Sequence, residues 1–183
     1  MKYEPIISDR YYHIYNQGNN KEDIFIEEKN YSYFLHLLMK HIVKYSDIYC
    51  YCLLKNHFHL IIKTKENIED KKIQQSISNF FNAYTKSINK AYNRTGSLFR
   101  DRFKRKIIED ENYLKHLIIY IHLNPQNHRL IEDYKKYKHS SYQSILSNSK
   151  TNLKRNEVLE IFNDKENFIF VHENYKSDLE VFM

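Results

Sequence analysis

Two histidines stand one residue apart in Leu54-Lys55-Asn56-His57-Phe58-His59-Leu60-Ile61, a stretch that otherwise reads as a buried strand. Side chains at i and i+2 of a strand leave the same face, so His57 and His59 project side by side while Phe58 and Leu60 turn into the core. Two imidazoles converging from a rigid sheet are the start of a divalent-metal site. In a chain with 10 histidines such a pair also arises by chance. The metal reading therefore needs a third ligand and a partner for the chemistry at a sensible spacing.

Both are offered by Tyr113 to Pro125. Leu114, Leu117, Ile118 and Ile121 follow the i, i+3, i+4, i+7 rhythm of a helix with one core-facing stripe, which Pro125 is expected to end. Tyr120 falls at the edge of that stripe, and Asn124, four residues later, lies beyond it on the same face. Taken alone, Tyr120 is one of 17 tyrosines at a core boundary and Asn124 a residue that stops a helix before proline. Beside the histidine pair, a phenol and an amide on one helix face become a nucleophile and an oxygen ligand.

These residues resemble the single-tyrosine HUH transposases, and among them the REP-associated tyrosine transposases. His57-Phe58-His59 matches the His-hydrophobic-His motif that gives the superfamily its name. Tyr12-His13-Ile14-Tyr15-Asn16-Gln17-Gly18-Asn19-Asn20, with Ile24-Phe25 after it, is similar to the family's first strand and turn. Gly96-Ser97-Leu98-Phe99-Arg100-Asp101-Arg102-Phe103-Lys104 is similar to its basic Gly-x-Leu-Phe segment. Tyr120-Ile121-His122-Leu123-Asn124-Pro125 resembles the end of its catalytic helix, and His139-Ser140-Ser141-Tyr142 the element after it. The matches run in order over roughly residues 10 to 145, which is more specific than His-x-His by itself.

The resemblance implies a chemistry. His57, His59 and the Asn124 amide oxygen would hold one divalent cation, Mg2+ or Mn2+, as suits an open nitrogen and oxygen site without thiolates. Tyr120 would attack a phosphodiester of single-stranded or hairpin DNA, leaving a 5′-phosphotyrosine and a free 3′-hydroxyl. His116, one turn before Tyr120, is the candidate base. The insertion-sequence branch commonly carries glutamine where this chain has Asn124; asparagine there is found in the REP-associated branch. A homodimer, with the site completed by a helix from a second copy, stays open beside a site built within one chain. Three other readings share the motif: a catalytically weak or domesticated DNA-binding protein of the same fold, a metal-dependent hydrolase, and a replication initiator or relaxase.

Arg94, Arg100, Arg102, Lys104, Arg105 and Lys106 crowd into thirteen residues with Phe99 and Phe103 between them, opposed by Asp101 alone. The cations suit phosphate, and aromatic faces stack unpaired bases for about 1 to 3 kcal/mol each. For the two phenylalanines a place in the core is the simpler reading. Across 183 residues, 29 Lys and Arg against 23 Asp and Glu give a formal charge of +6, which favours a polyanionic partner. Cys50 and Cys52, spaced i, i+2 on a strand, are awkward for a mutual disulfide and read as small buried side chains in a reducing compartment. The first ten residues lack an apolar signal core and no run reaches the length of a membrane span, so the expectation is a cytosolic protein with no membrane partner.

The elements that must position these groups follow from periodicity. Residues 10 to 17 alternate as a strand. Tyr31, Phe34, Leu35, Leu38, His41, Ile42 and Tyr45 mark an amphipathic helix. Residues 47 to 54 and 57 to 64 form a hairpin turned at Lys55-Asn56. A long helix from about Asp70 to Ala91, a strand over 98 to 108 and the Tyr120 helix from about Asp110 complete the order βαββαβα. That order predicts an α+β, ferredoxin-like antiparallel sheet with helices on one face and the other free for ligand. Residues 1–146 are the expected catalytic domain. Residues 147–183 are the expected C-terminal helical appendage, with a helix near 155 to 162 and a strand or packing segment at Phe168-Ile-Phe-Val171.

Overall fold

A computed structural model describes residues 5–175. Four strands form one antiparallel sheet: β1 (Tyr11–Gln17), β2 (Ser46–Leu54), β3 (His57–Thr64) and β4 (Lys104–Ile108), in the order β2-β3-β1-β4. β2 and β3 pair from Leu54 opposite His57, so Lys55-Asn56 is the two-residue turn that the sequence implies. Helices α1 (Glu28–His41) and α2 (Asp70–Ala91) carry the chain across one face. Phe34 and Leu38 of α1 and Ile77, Phe80 and Tyr84 of α2 bury there against Tyr12, Ile14, Phe58, Leu60 and Ile62. The alternation in β1 and β3 thus places every second residue in this core.

The remaining strand residues face the other way, and that face is not left open along its length. Helix α3 (Glu111–Asn127) lies across it, packing Leu117, Ile118 and Ile121 with Cys50, Cys52, Leu54 and Ile61. Both cysteines are free and buried. α3 starts where an acidic cap is expected, with Asp110 accepting a hydrogen bond from the Tyr113 amide at 2.6 Å. It does not stop at Pro125. Proline forfeits the bond to the carbonyl four residues back, but the next turn closes behind it, His128 N–H bonding the Asn124 carbonyl at 2.9 Å.

Two further expectations are corrected. The strand foreseen over 98 to 108 is regular only from Lys104. Before it, Phe99 makes only an isolated bridge to Gly18, and the segment with buried Leu98 and Phe99 folds over the end of β1 instead of extending β4. Gly18 bridges Phe99 there and, lacking a side chain, lets its own turn close, since a Cβ would overlap the Glu22 carbonyl oxygen. In the C-terminal part, after short α4 (Tyr142–Leu146) and α5 (Arg155–Ile161), residues 168–171 lie in helix α6 (Lys165–Glu173) rather than a strand. Phe168 and His172, four apart, are buried while Phe170 is exposed, and Asp164 caps the first turn through the Asn167 amide. Val158, Phe162 and Phe168 bury in the same cluster as Leu117 and Ile118.

Candidate active site

His57 and His59 leave β3 on the α3 face, as their spacing requires. His57 lies at the hairpin turn, with Nδ1 2.7 Å from Asn56 Oδ1. His59 is 8% exposed and its Nδ1 lies 2.9 Å from Nε2 of His13 on neighbouring β1. Those contacts occupy Nδ1 of both rings. The His57 and His59 rings stand edge to face, centroids 5.5 Å apart. Burial drives all three imidazoles toward the neutral form. It takes His57 down to about 4, with the His128 charge adding to the effect, and His13 to about 3, with Lys106 adding. His59 is pushed down by burial and then by the charges of His13, His57 and His128. Neutral imidazole is the metal-binding form.

α3 brings the other two groups. Tyr120 is 7% exposed and meets His59 edge-on, centroids 5.9 Å apart. Burial raises its phenol above the ordinary value, and the Asn124 side chain draws it partly back. Asn124 is 1% exposed. Its Nδ2 donates to the Tyr120 carbonyl at 2.9 Å, whereas its Oδ1 is buried without a hydrogen-bond partner. Such an acceptor costs about 1 to 3 kcal/mol if nothing engages it, so the residues present fit an oxygen-preferring cation. Among the described residues no group of three His, Cys, Asp or Glu is placed to hold a metal; the candidate donor set is two imidazoles and one amide.

Two residues missed by the sequence reading belong to this neighbourhood. His13 reaches His59 only through the pairing of β1 with β3. His128 lies at the C-terminal end of α3, eight residues after Tyr120, with its ring 4.9 Å from that of His57. A helical spacing carried past Pro125 could have found it. His116 is exposed, its Nδ1 3.3 Å from the Tyr175 hydroxyl.

A cleft of about 210 Å3 opens at the histidines, lined also by Tyr15, Arg100, Asp101, Lys104 and His128. Among solved structures, the chain is similar to a REP-associated tyrosine transposase bound to a REP hairpin, with a TM-score of 0.63 and 17% sequence identity over 81% of this chain and 85% of that one. The two share a fold. No family model and no curated protein matches the sequence. On this fold the basic residues divide by position. Arg100 and Lys104 line the histidine cleft. Lys104 and Lys106 lie over Tyr15 and Tyr113, while Arg105, between them in β4, lies over Phe103. Arg102 and Arg105 line a second cleft. Arg94 pairs with Glu22 at 2.6 Å. Phe99 is buried and Phe103 stacks on Phe81 at 5.1 Å, the core role expected of them. Among the described residues no helix is long and apolar enough to cross a membrane.

Proposed function

We infer that this chain nicks and joins single-stranded DNA as a transposase-like strand-transferase of the REP-associated type, acting on hairpin-forming DNA through Tyr120. The observation that carries this reading is the edge-on contact of Tyr120 on α3 with His59 of the neutral His57 and His59 pair on β3, one helical turn before the unsatisfied Asn124 Oδ1. The neighbouring structure is bound to a REP hairpin, and we assign the same class of DNA here. Catalysis is assigned to residues 1–146, with 147–183 as the appendage.

His57 and His59 would hold a divalent cation, Mg2+ or Mn2+, through Nε2, because Nδ1 is engaged in both rings; Asn124 would add Oδ1. The bound cation would polarise the scissile phosphate and offset charge in an in-line displacement. Tyr120 Oη forms a bond to phosphorus as the P–O3′ bond breaks. The phenol loses its proton and the leaving 3′-oxygen gains one. A 3′-hydroxyl attacking the resulting 5′-phosphotyrosine runs the same exchange backwards and rejoins strands without ATP. Burial keeps the phenol protonated at rest, so a base must act as the phosphate engages. His116 is the proposed acceptor, and an unchanged rate in His116→Ala would remove it from the scheme. Arg100 and Lys104, at the cleft, are placed to hold flanking phosphates.

The deciding experiment uses a 3′-labelled single-stranded hairpin with Mn2+ or Mg2+. A protein adduct that retains the label after denaturation is expected, abolished by EDTA and by Tyr120→Phe. An undiminished adduct in Tyr120→Phe overturns the assignment.

A further inference from the structure

Beside the histidine cleft lies a second one, of about 620 Å3, between α2 and the segment that leads into β4. Asn16 and Asp101 line both, and the Asn16 amide donates to the Asp101 carbonyl at 3.1 Å, fixing the wall between them. One side of the second cleft is a stripe of α2: Gln74, Ser78, Asn82 and Thr85, spaced four, four and three residues apart. Every one is an uncharged hydrogen-bonding side chain, and among the described residues none has a side-chain hydrogen-bond partner. Around the helix Gln75 and Asn79 bond each other at 2.8 Å, so the stripe facing the cleft is the one left unsatisfied. Across from it stand Arg102 and Arg105, and the stacked rings of Phe81 and Phe103 line the same cleft.

Amides and hydroxyls discriminate base edges, whereas cations hold phosphates without reading sequence. In unpaired strands the Watson–Crick edges are free to be read. The cleft combines both kinds of group, its one carboxylate is Asp101, and it adjoins the histidine site. We propose that this α2 cleft binds unpaired DNA nucleotides beside the phosphodiester attacked by Tyr120, with Gln74, Ser78, Asn82 and Thr85 reading base edges and Arg102 and Arg105 holding the backbone. The nature of the polymer rests on the strand-transferase reading above; the base-reading role rests on the α2 stripe.

The test selects from a random-sequence single-stranded DNA pool on the full-length chain in EDTA, so that binding is read without cleavage. The wild-type chain is expected to enrich a short motif, preferred over its scrambled form by roughly tenfold or more, the size of one well-made base contact. Gln74→Ala/Asn82→Ala should bring that preference to within about twofold. Gln74→Glu, which replaces a donor and acceptor by an acceptor alone, should move the selected motif toward cytosine, whose N4 donates; a merely structural Gln74 would not do this. Arg102→Ala/Arg105→Ala should lower affinity for all sequences alike. An unchanged motif in the double alanine variant overturns the proposal. No motif from the wild-type chain, with the Tyr120 adduct still forming, overturns it while leaving the strand-transferase reading in place. A motif that disappears in the alanine variant, with no adduct under any condition, supports the cleft and removes the nicking activity instead.

Discussion

His13 Nε2 and His59 Nδ1 lie 2.9 Å apart in the buried space between β1 and the candidate nucleophile. If His59 binds metal through Nε2, its Nδ1 carries the proton and donates to His13, which must then be neutral and accept. Such partners fix the tautomer and direction of a metal-binding ring, and losing one typically costs 10- to 100-fold in metal affinity. His13→Ala should therefore raise the dissociation constant for Mn2+ by about that factor, read as free Mn2+ by electron paramagnetic resonance. An affinity matching the wild type would make His13 a packing residue.

Asn124 can be tested in the same titration. Asn124→Ala should raise the metal concentration needed for half-maximal adduct formation, with much of the rate regained at saturation. In EDTA the variant loses one hydrogen bond, to the Tyr120 carbonyl, worth about 1 kcal/mol. Unaltered metal dependence with a lowered melting temperature would make the amide a helix-end support and nothing more.

The basic residues should separate by what they touch. Arg100→Ala/Lys104→Ala, at the histidine cleft, should flatten the dependence of log affinity on log salt by roughly 0.7 for each phosphate of single-stranded DNA that is no longer neutralised. Arg94→Ala breaks the bond to Glu22 and should leave the salt slope alone while lowering the melting temperature. Equal slopes in both variants would mean that the cleft arginine and lysine meet no phosphate.

Stability should fall in mild acid. His172 lies in a buried chain of bonds: its Nδ1 donates to the Phe168 carbonyl at 2.6 Å, and its Nε2 is 2.9 Å from His122 Nδ1, whose Nε2 is 2.9 Å from Ser141 Oγ. Burial lowers His172 from 6.5 to about 4, with the Phe168 carbonyl opposing. Above pH 6.5 it is neutral folded and unfolded. Below that the unfolded chain takes the proton first, so folding stability is lost between pH 6.5 and about 4, by up to about 3 kcal/mol from this group. Denaturant titrations in EDTA at pH 7 and pH 5 should show the drop, and His172→Gln should make it shallower. Equal slopes in the two proteins would rule His172 out as the cause.

What the sequence made legible is what local periodicity controls. The two-residue turn, the shared face of His57 and His59, and the pairing of Tyr120 with Asn124 each follow from spacing within one element. His13 was out of reach because its contact depends on which strand lies beside β3, a matter of register across 46 residues. The basic run looked like one patch, yet alternation along β4 sends Lys104 and Lys106 toward one set of rings and Arg105 toward another. The helix at 165–173 read as a strand or packing segment because Phe168 to Val171 are all apolar, while the burial of Phe168 and His172 is a tertiary outcome.

The site is carried by two supports of unequal stiffness. The distance from His57 to His59 is set by the pleat of one strand hydrogen-bonded on both sides. Tyr120 and Asn124 ride on a helix that meets the sheet through side chains and is braced from behind by α6 through the His122 and His172 contact. Loosening that brace lets Tyr120 and Asn124 drift while the imidazole pair keeps its shape. On the strand-transferase reading proposed above, a lesion in the last helix of the described chain would then yield a protein that still binds the strand and holds the cation more weakly, through the two imidazoles alone, but exchanges no phosphodiester.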